Sequence, residues 1–185
     1  CGALEFAEKI SKVGTQPIIG TQINFKYGET TGLLPLYALD ETGYKRIIEL
    51  SSLSYLKNDE LSDPHLNFDE LLIKTDGIAL FSGTVYGLFG QLFDKGKFTK
   101  IKELYSLLKK NFNENFYIEI QRHGDQNEVG FEKFNLSKSS ELEIPLIATN
   151  EVFYINKDMY EAHDALICIK NKTYINEKNR VRFND

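Results

Sequence analysis

Three short, almost unbroken apolar runs constrain this chain most: Gly32–Leu39, Gly77–Ser82 and Ile144–Thr149. Each falls far short of the roughly 20 residues that a membrane-spanning helix needs. Each is bounded by polar or glycine-containing turns, the pattern of strands buried on both faces. Between them the apolar positions recur at helical spacing. Ile47, Ile48, Leu50, Leu53 and Leu56 make one stripe, opened by Glu41–Thr42. Phe98, Ile101, Leu104, Leu107 and Leu108 make a second, and Met159, Ala162, Leu166 and Ile169 a third along Asp158–Ile169. Strands alternating with helices predict βαβ units, right-handed crossovers and a mainly parallel sheet, hence an α/β fold.

The remaining elements fill in around these. Ala3, Leu4, Phe6, Ala7, Ile10 and Val13 predict an opening helix, with Gly14 placed as its C-cap. A strand is expected from Pro17–Gly20 towards Ile23–Phe25, then a polar turn over Lys26–Thr31. Residues 57–68 read as a surface loop and Phe68–Leu72 as a helical turn. Val85–Phe93 reads as a helix among Gly83, Gly87 and Gly90. Phe116–Gln121 alternates as a strand, and Glu128–Ser139 is a helix with Phe131 and Phe134 inward. Lys170–Asp185 is a polar, turn-rich tail. An α/β domain usually opens on a strand, so the opening helix implies an unusual order or the loss of a first βα unit.

With 185 residues the chain is expected to be one domain with a substantial core. Its two cysteines, Cys1 and Cys168, cannot make a disulfide framework, which fits a reducing, cytoplasmic setting. No basic segment followed by a long apolar core opens the sequence, so no secretory leader is expected. The net charge of −5 argues against a surface that is wholly a nucleic-acid footprint. The lysine row Lys97, Lys100, Lys102, Lys109 and Lys110 reads as a solvated helix face, with nucleic-acid binding as the sharper alternative.

Catalytic constellations are sparse. The residues just after the expected strands are Thr84, Gln121–His123 and Asn150–Phe153. Among them His123 and Glu151 are good metal ligands, and Glu119 shares the facing of His123 by strand alternation. That is at most a weak one-metal site, because stable transition-metal sites take three or four protein ligands. The expectation is that Glu119 and His123 pair with other polar groups. Gly83–Gly90 has phosphate-loop glycines, but Gln91 and Leu92 stand where Lys-Ser or Lys-Thr is needed. No Gly-x-Ser-x-Gly elbow and no Asp-x-Asp pair occurs. Cys168 is expected simply to pack. His163 is expected to bridge a loop rather than shuttle protons, and His65 to be solvated.

Several stretches resemble, in order, the polymerase-and-histidinol-phosphatase (PHP) domain of bacterial replicative polymerase alpha subunits. They are Gly2–Phe6, Lys12–Gly20 (KVGTQPIIG), Glu41–Tyr44 continuing to Ser51–Tyr55, Phe116–Gly124 (FYIEIQRHG), Ala148–Tyr154 (ATNEVFY) and Glu161–Leu166. The resemblance implies a distorted seven-stranded βα barrel that here lacks its first βα unit. It implies a PHP domain over residues 1–170 and a linker towards a polymerase core over 171–185. Active relatives bind about three metals, and five of the ligand positions map to Gln22, Leu33, Thr84, Glu151 and Phe153. Only Glu151 could coordinate in the family's manner. The resemblance therefore implies a metal-free domain with no catalytic residues and no cofactor. Its implied partners are the rest of the polymerase chain, DNA through that chain, and the proofreading exonuclease subunit. The rival expectation is an active metal-dependent phosphoesterase or 3′–5′ exonuclease using Glu119, His123 and Glu151.

Overall fold

A computed structural model describes residues 2–59, 62–180 and 182. They fall into two compact units, Cys1–Ala148 and Thr149–Asp185.

The first unit opens with helix α1 (Ala3–Lys12). Gly14, at φ +81°, ends it as expected. The Thr15 N–H reaches the Ile10 carbonyl and the Gly14 N–H reaches that of Ser11. This Schellman pattern needs the left-handed backbone that glycine adopts without strain. Strands β1 (Gly20–Tyr27) and β2 (Thr30–Ala38) follow as a tight hairpin. Only Gly28 and Glu29 lie between them, with Gly28 at φ +58°, as a two-residue hairpin turn with glycine first requires.

Next come α2 (Glu41–Leu56), the two-residue β3 (Leu66–Asn67), α3 (Phe68–Leu71) and β4 (Ile78–Phe81). Helices α4 (Leu88–Asp94) and α5 (Phe98–Phe112), strand β5 (Phe116–Ile120), helix α6 (Gln126–Leu142) and strand β6 (Leu146–Ala148) complete the unit.

The sheet order is β3-β1-β2-β4-β5-β6. Strand β2 is antiparallel to both β1 and β4, while the β1–β3, β4–β5 and β5–β6 pairs are parallel. Five strands thus point one way and β2 alone is reversed. The sheet is mainly parallel, as expected from the sequence, with one reversed strand that was not expected. The physical reason is the hairpin: a two-residue turn can only join antiparallel neighbours. Among the described residues the sheet has six strands and is not closed.

Other expectations shift for similar reasons. Pro17 has no N–H to give a ladder, and regular pairing starts only where Gly20 meets Tyr37. The Gly32–Leu39 run is not buried throughout, since Leu33 and Leu39 are exposed. The Ile144–Thr149 run is not a buried strand either. Ile144 is buried, but β6 is an end strand with Leu146 45% exposed. The expected Val85–Phe93 helix begins only at Leu88, because Ser82–Gly87 is taken up by a turn with Gly83 at φ +80°.

Register decides the two faces of the sheet. Ile23, Phe25, Leu34, Leu36, Leu80, Phe116 and Ile118 belong to the buried core, under α2 and α4 on β2 and α5 on β4 and β5. Phe89 and Tyr105 meet edge-to-face there with ring centroids 4.7 Å apart. The Tyr105 hydroxyl, with its pKa pushed up by complete burial, donates to Asn135 Oδ1 at 3.0 Å. A buried phenol needs such a partner.

The second unit holds a short 3₁₀ turn (Lys157–Met159) and helix α7 (Tyr160–Asn171). The tail expected as a linker turns back at once: the Thr173 N–H bonds the Cys168 carbonyl. Arg180 then forms a two-pronged ion pair with Asp164. Cys168 is buried and free.

Two glycines give opposite predictions. At Gly43, near the start of α2, an added Cβ would lie 1.7 Å from the Gly77 carbonyl oxygen. Gly43→Ala is expected to cost about 3 kcal/mol, the upper range for overpacking. At Gly130 in α6 the added Cβ makes ordinary 3.6 Å contacts with Phe93. Gly130→Ala is expected to stabilise by about 0.5 kcal/mol through the lost chain entropy of glycine. Urea midpoints of the two variants check both.

Candidate functional site

The carboxyl ends of β4 and β5 face the amino end of α6, and the polar groups of the first unit collect there. Ser82, fully buried just past β4, accepts the Glu119 N–H on its Oγ at 2.9 Å. Glu119 is itself only 5% exposed and accepts from Gln121 Nε2 at 3.1 Å. Thr84, Glu119, Gln121, Glu128, Phe131, Glu132 and Asn135 line a cleft of about 20 Å³, room for about one water molecule.

The segment after β5 is stitched to α6. Glu132 takes Arg122 in a fork, 3.1 Å from Nε and 2.7 Å from Nη2. One turn earlier, Glu128 accepts the His123 backbone N–H at 2.9 Å and lies 3.2 Å from His123 Nδ1. Asp125 caps α6 by accepting the Asn127 N–H at 2.9 Å. It also accepts the Tyr86 hydroxyl, which ties in the turn after β4. The Tyr86 hydrogen bond is the main reason the Asp125 carboxyl titrates below its ordinary range, with the Asn127 N–H helping. The same bond is the first cause of the raised Tyr86 pKa.

The face of the sheet opposite the helix-covered core carries a second set. Gln22 lies across from Pro35, and Asn24 across from Leu33. Residues directly opposite share a face, so Gln22 and Leu33 stand on the same surface. The turn carrying Thr84 abuts it: Gly83 and Gly87 both pack against the Leu33 carbonyl. Tyr37, Phe81 and Tyr117 form an aromatic row there, with ring centroids 4.5 Å and 5.6 Å apart. Burial, and then the charge of Glu119, raise the Tyr37 pKa.

The structure therefore brings Gln22, Leu33 and Thr84 into one neighbourhood of the first unit. Thr84 Oγ1 accepts the Tyr86 N–H at 3.2 Å. Glu151 and Phe153 belong to the second unit, where Glu151 is exposed and Phe153 stacks on His163 with centroids 4.9 Å apart. His163 also meets the Tyr154 ring at 5.5 Å, which fits the loop-bridging role. His65 is half-buried rather than solvated, with Nδ1 2.8 Å from the Asp63 carbonyl. Among the described residues, no group of three or more His, Cys, Asp and Glu side chains is arranged to hold a metal. No helix among them is long and apolar enough to cross a membrane.

Along the lysine row, Lys100 pairs with Glu103, Lys102 with Glu141, and Lys109 bonds the Leu142 carbonyl. Lys100 also lies over the Tyr27 ring, 5.4 Å from its centroid. Much of that charge is matched within the fold.

Sequence reasoning passed over Asp125, Glu128 and Glu132. Their signal was present: Asp125 with Glu128 three residues on marks a helix start. Glu128 and Glu132 are four apart, so they share a helix face.

An α/β domain with its polar groups at the carboxyl ends of its strands is the class this geometry defines. The model of the PHP domain matches residues 1–123, and the chain belongs to the PHP domain family. It is 33% identical, over 98% of its length, to a protein of Caulobacter vibrioides named DNA polymerase III subunit alpha. Relatives of the same name are 36% identical over 91% of the chain in Rickettsia bellii and 30% identical over 98% in Borreliella burgdorferi. The chain spans 16%, 14% and 17% of these three relatives.

Asp125→Ala is expected to lower the thermal midpoint at neutral pH, since it removes the cap of α6 and the acceptor of Tyr86. The Asp125 pKa is depressed in the folded state, so its contribution is present above the unfolded carboxyl pKa and is lost as pH falls through the folded value. The gap between wild type and variant should close on acidification. Thermal unfolding followed by circular dichroism from pH 7 downwards measures it.

Proposed function

We propose that this chain is a catalytically silent PHP domain of a replicative DNA polymerase alpha polypeptide, kept as a structural module. The observation that carries the reading is the donor chemistry at Gln22, Leu33, Thr84, Glu151 and Phe153. Leucine and phenylalanine offer no lone pair, glutamine and threonine are neutral, and only Glu151 is an anion. A cluster of divalent ions needs anionic and imidazole donors to offset its charge and lost hydration. The residues present do not fit such a cluster. The contacts of the neighbouring polar groups support the same reading, because His123 is engaged by Glu128 and Thr84 by Tyr86.

The relatives named DNA polymerase III subunit alpha support a place in DNA replication. On this reading the parent polypeptide is a cytoplasmic nucleotidyltransferase that extends a primer. The module's first partner is the rest of that polypeptide, and DNA is reached through it. The proofreading exonuclease subunit is a second partner within the same proposal. A closed barrel of seven strands, with the missing strand supplied from outside this chain, also belongs to it.

The buried carboxylate of Glu119 favours a second reading, an active phosphoesterase or 3′–5′ exonuclease with Glu119 and His123 among its metal ligands.

Elemental analysis separates the two. After incubation with Mn²⁺ or Zn²⁺ and dialysis, the silent module is expected to retain no stoichiometric metal and to leave a phosphodiester substrate intact. A bound equivalent that disappears in Glu119→Gln, with hydrolysis lost alongside it, would overturn the silent reading.

A further inference from the structure

One polar group in the core of the first unit is not satisfied by the protein itself. Asn135, on the inner side of α6, is fully buried. Its Oδ1 accepts the Tyr105 hydroxyl at 3.0 Å. Among the described residues its Nδ2 has no hydrogen-bond partner. A buried donor left in that state carries its full desolvation cost, and native structures almost always satisfy such groups.

The order of donors fixes which end of the amide is spare. The Glu119 N–H donates to Ser82 Oγ at 2.9 Å. Ser82 in turn donates to the Tyr105 oxygen, which partly offsets the rise in the Tyr105 pKa caused by burial. The Tyr105 proton is passed on to Asn135 Oδ1. Turning the amide over would set an N–H against that O–H, so Nδ2 is held away from Tyr105. Asn135 lines the cleft of about 20 Å³ and Tyr105 does not. The end of the amide that reaches the cleft is therefore Nδ2. The Glu119 carboxylate lines the same cleft. A carboxylate can accept about four hydrogen bonds, so the one from Gln121 does not exhaust it.

We propose that this cleft is a binding site for one water molecule, which accepts from Asn135 Nδ2 and donates to the Glu119 carboxylate. The chemistry of the walls selects the occupant. An amide N–H cannot ligate a cation. An anion is repelled by Glu119, Glu128 and Glu132, which all line the cleft. The occupant must be neutral, able both to accept and to donate, and small enough to fit. Water meets all three conditions, since one molecule needs roughly 10–15 Å³ of such space. The bridge closes a ring that leaves Glu119 at its N–H and returns to its carboxylate through Ser82, Tyr105, Asn135 and the water. Its members come from β5, the turn after β4, α5 and α6. Hydrogen bonds that run in one direction polarise one another, so the ring holds the Glu119 carboxylate in one orientation.

High-resolution crystal structures of the protein, as wild type and as Asn135→Leu, test this. The wild type is expected to show a single water within about 3.0 Å of both Asn135 Nδ2 and a Glu119 carboxylate oxygen. The variant, which removes the donor and fills the space, should lose it. Oxygen-17 relaxation dispersion checks the result in solution, where the variant should hold one long-lived water fewer. If the variant does not fold, the wild-type density decides. An empty cleft overturns the inference, as does an Asn135 amide that bonds a protein group instead, or a water that stays in folded Asn135→Leu. A peak about 2.1 Å from Glu119 also overturns it, because that is the distance of a metal ion. The metal outcome would end the silent-module reading too, whereas an empty cleft leaves that reading intact, so the two failures are distinguishable.

Discussion

The register between β1 and β2 is the constraint on which the rest of the first unit depends. With Gln22 opposite Pro35 and Asn24 opposite Leu33, the alternate residues Ile23, Phe25, Leu34 and Leu36 all enter the helix-covered core. Side chains alternate with a period of two, so a slip by one residue would exchange the two faces entirely. The same register puts Gln22 and Leu33 side by side on the opposite face. Core and candidate site are therefore consequences of one pairing.

That pairing also accounts for the mixed sheet. Because β2 is reversed between β1 and β4, its backbone must satisfy antiparallel ladders on both sides. The carboxyl ends of β4 and β5 remain together, and their polar groups are organised by α6. Asp125, Glu128 and Glu132 take up the Tyr86 hydroxyl, the His123 backbone and ring, and the Arg122 guanidinium. The charge-assisted bonds that these carboxylates accept fix their orientation. The end of the sheet behaves as a cross-linked junction.

Much of the element order was legible in the residues. Helix α2 ran over the expected stretch because its apolar stripe coincides with an Asp40 cap that accepts the Gly43 N–H. Helix α5 and strand β5 followed their periodicities closely. Other features were less legible. Lys26–Thr31 reads as any polar turn, and only the partner strand reveals a hairpin within it. Leu146 is apolar and looks buried, but exposure depends on how many strands lie beyond β6. At the candidate site, the poor donor set at Gln22, Leu33 and Thr84 could be read from residue types once a family pattern was available. The engagement of His123 by Glu128 could not, since it requires the path of the chain after β5.

The sequence by itself determined the local pieces: which segments are helical or extended, which faces of them are apolar, and which positions carry side chains able to hold a cation. Those properties follow from period, capping and side-chain chemistry, all of which are local. The tertiary structure alone decided the reversal of β2, the cross-links around α6, and the return of Arg180 to Asp164 across the turn that follows α7. These depend on contacts between residues distant in the chain or separated by a chain reversal, and no local pattern specifies such partners.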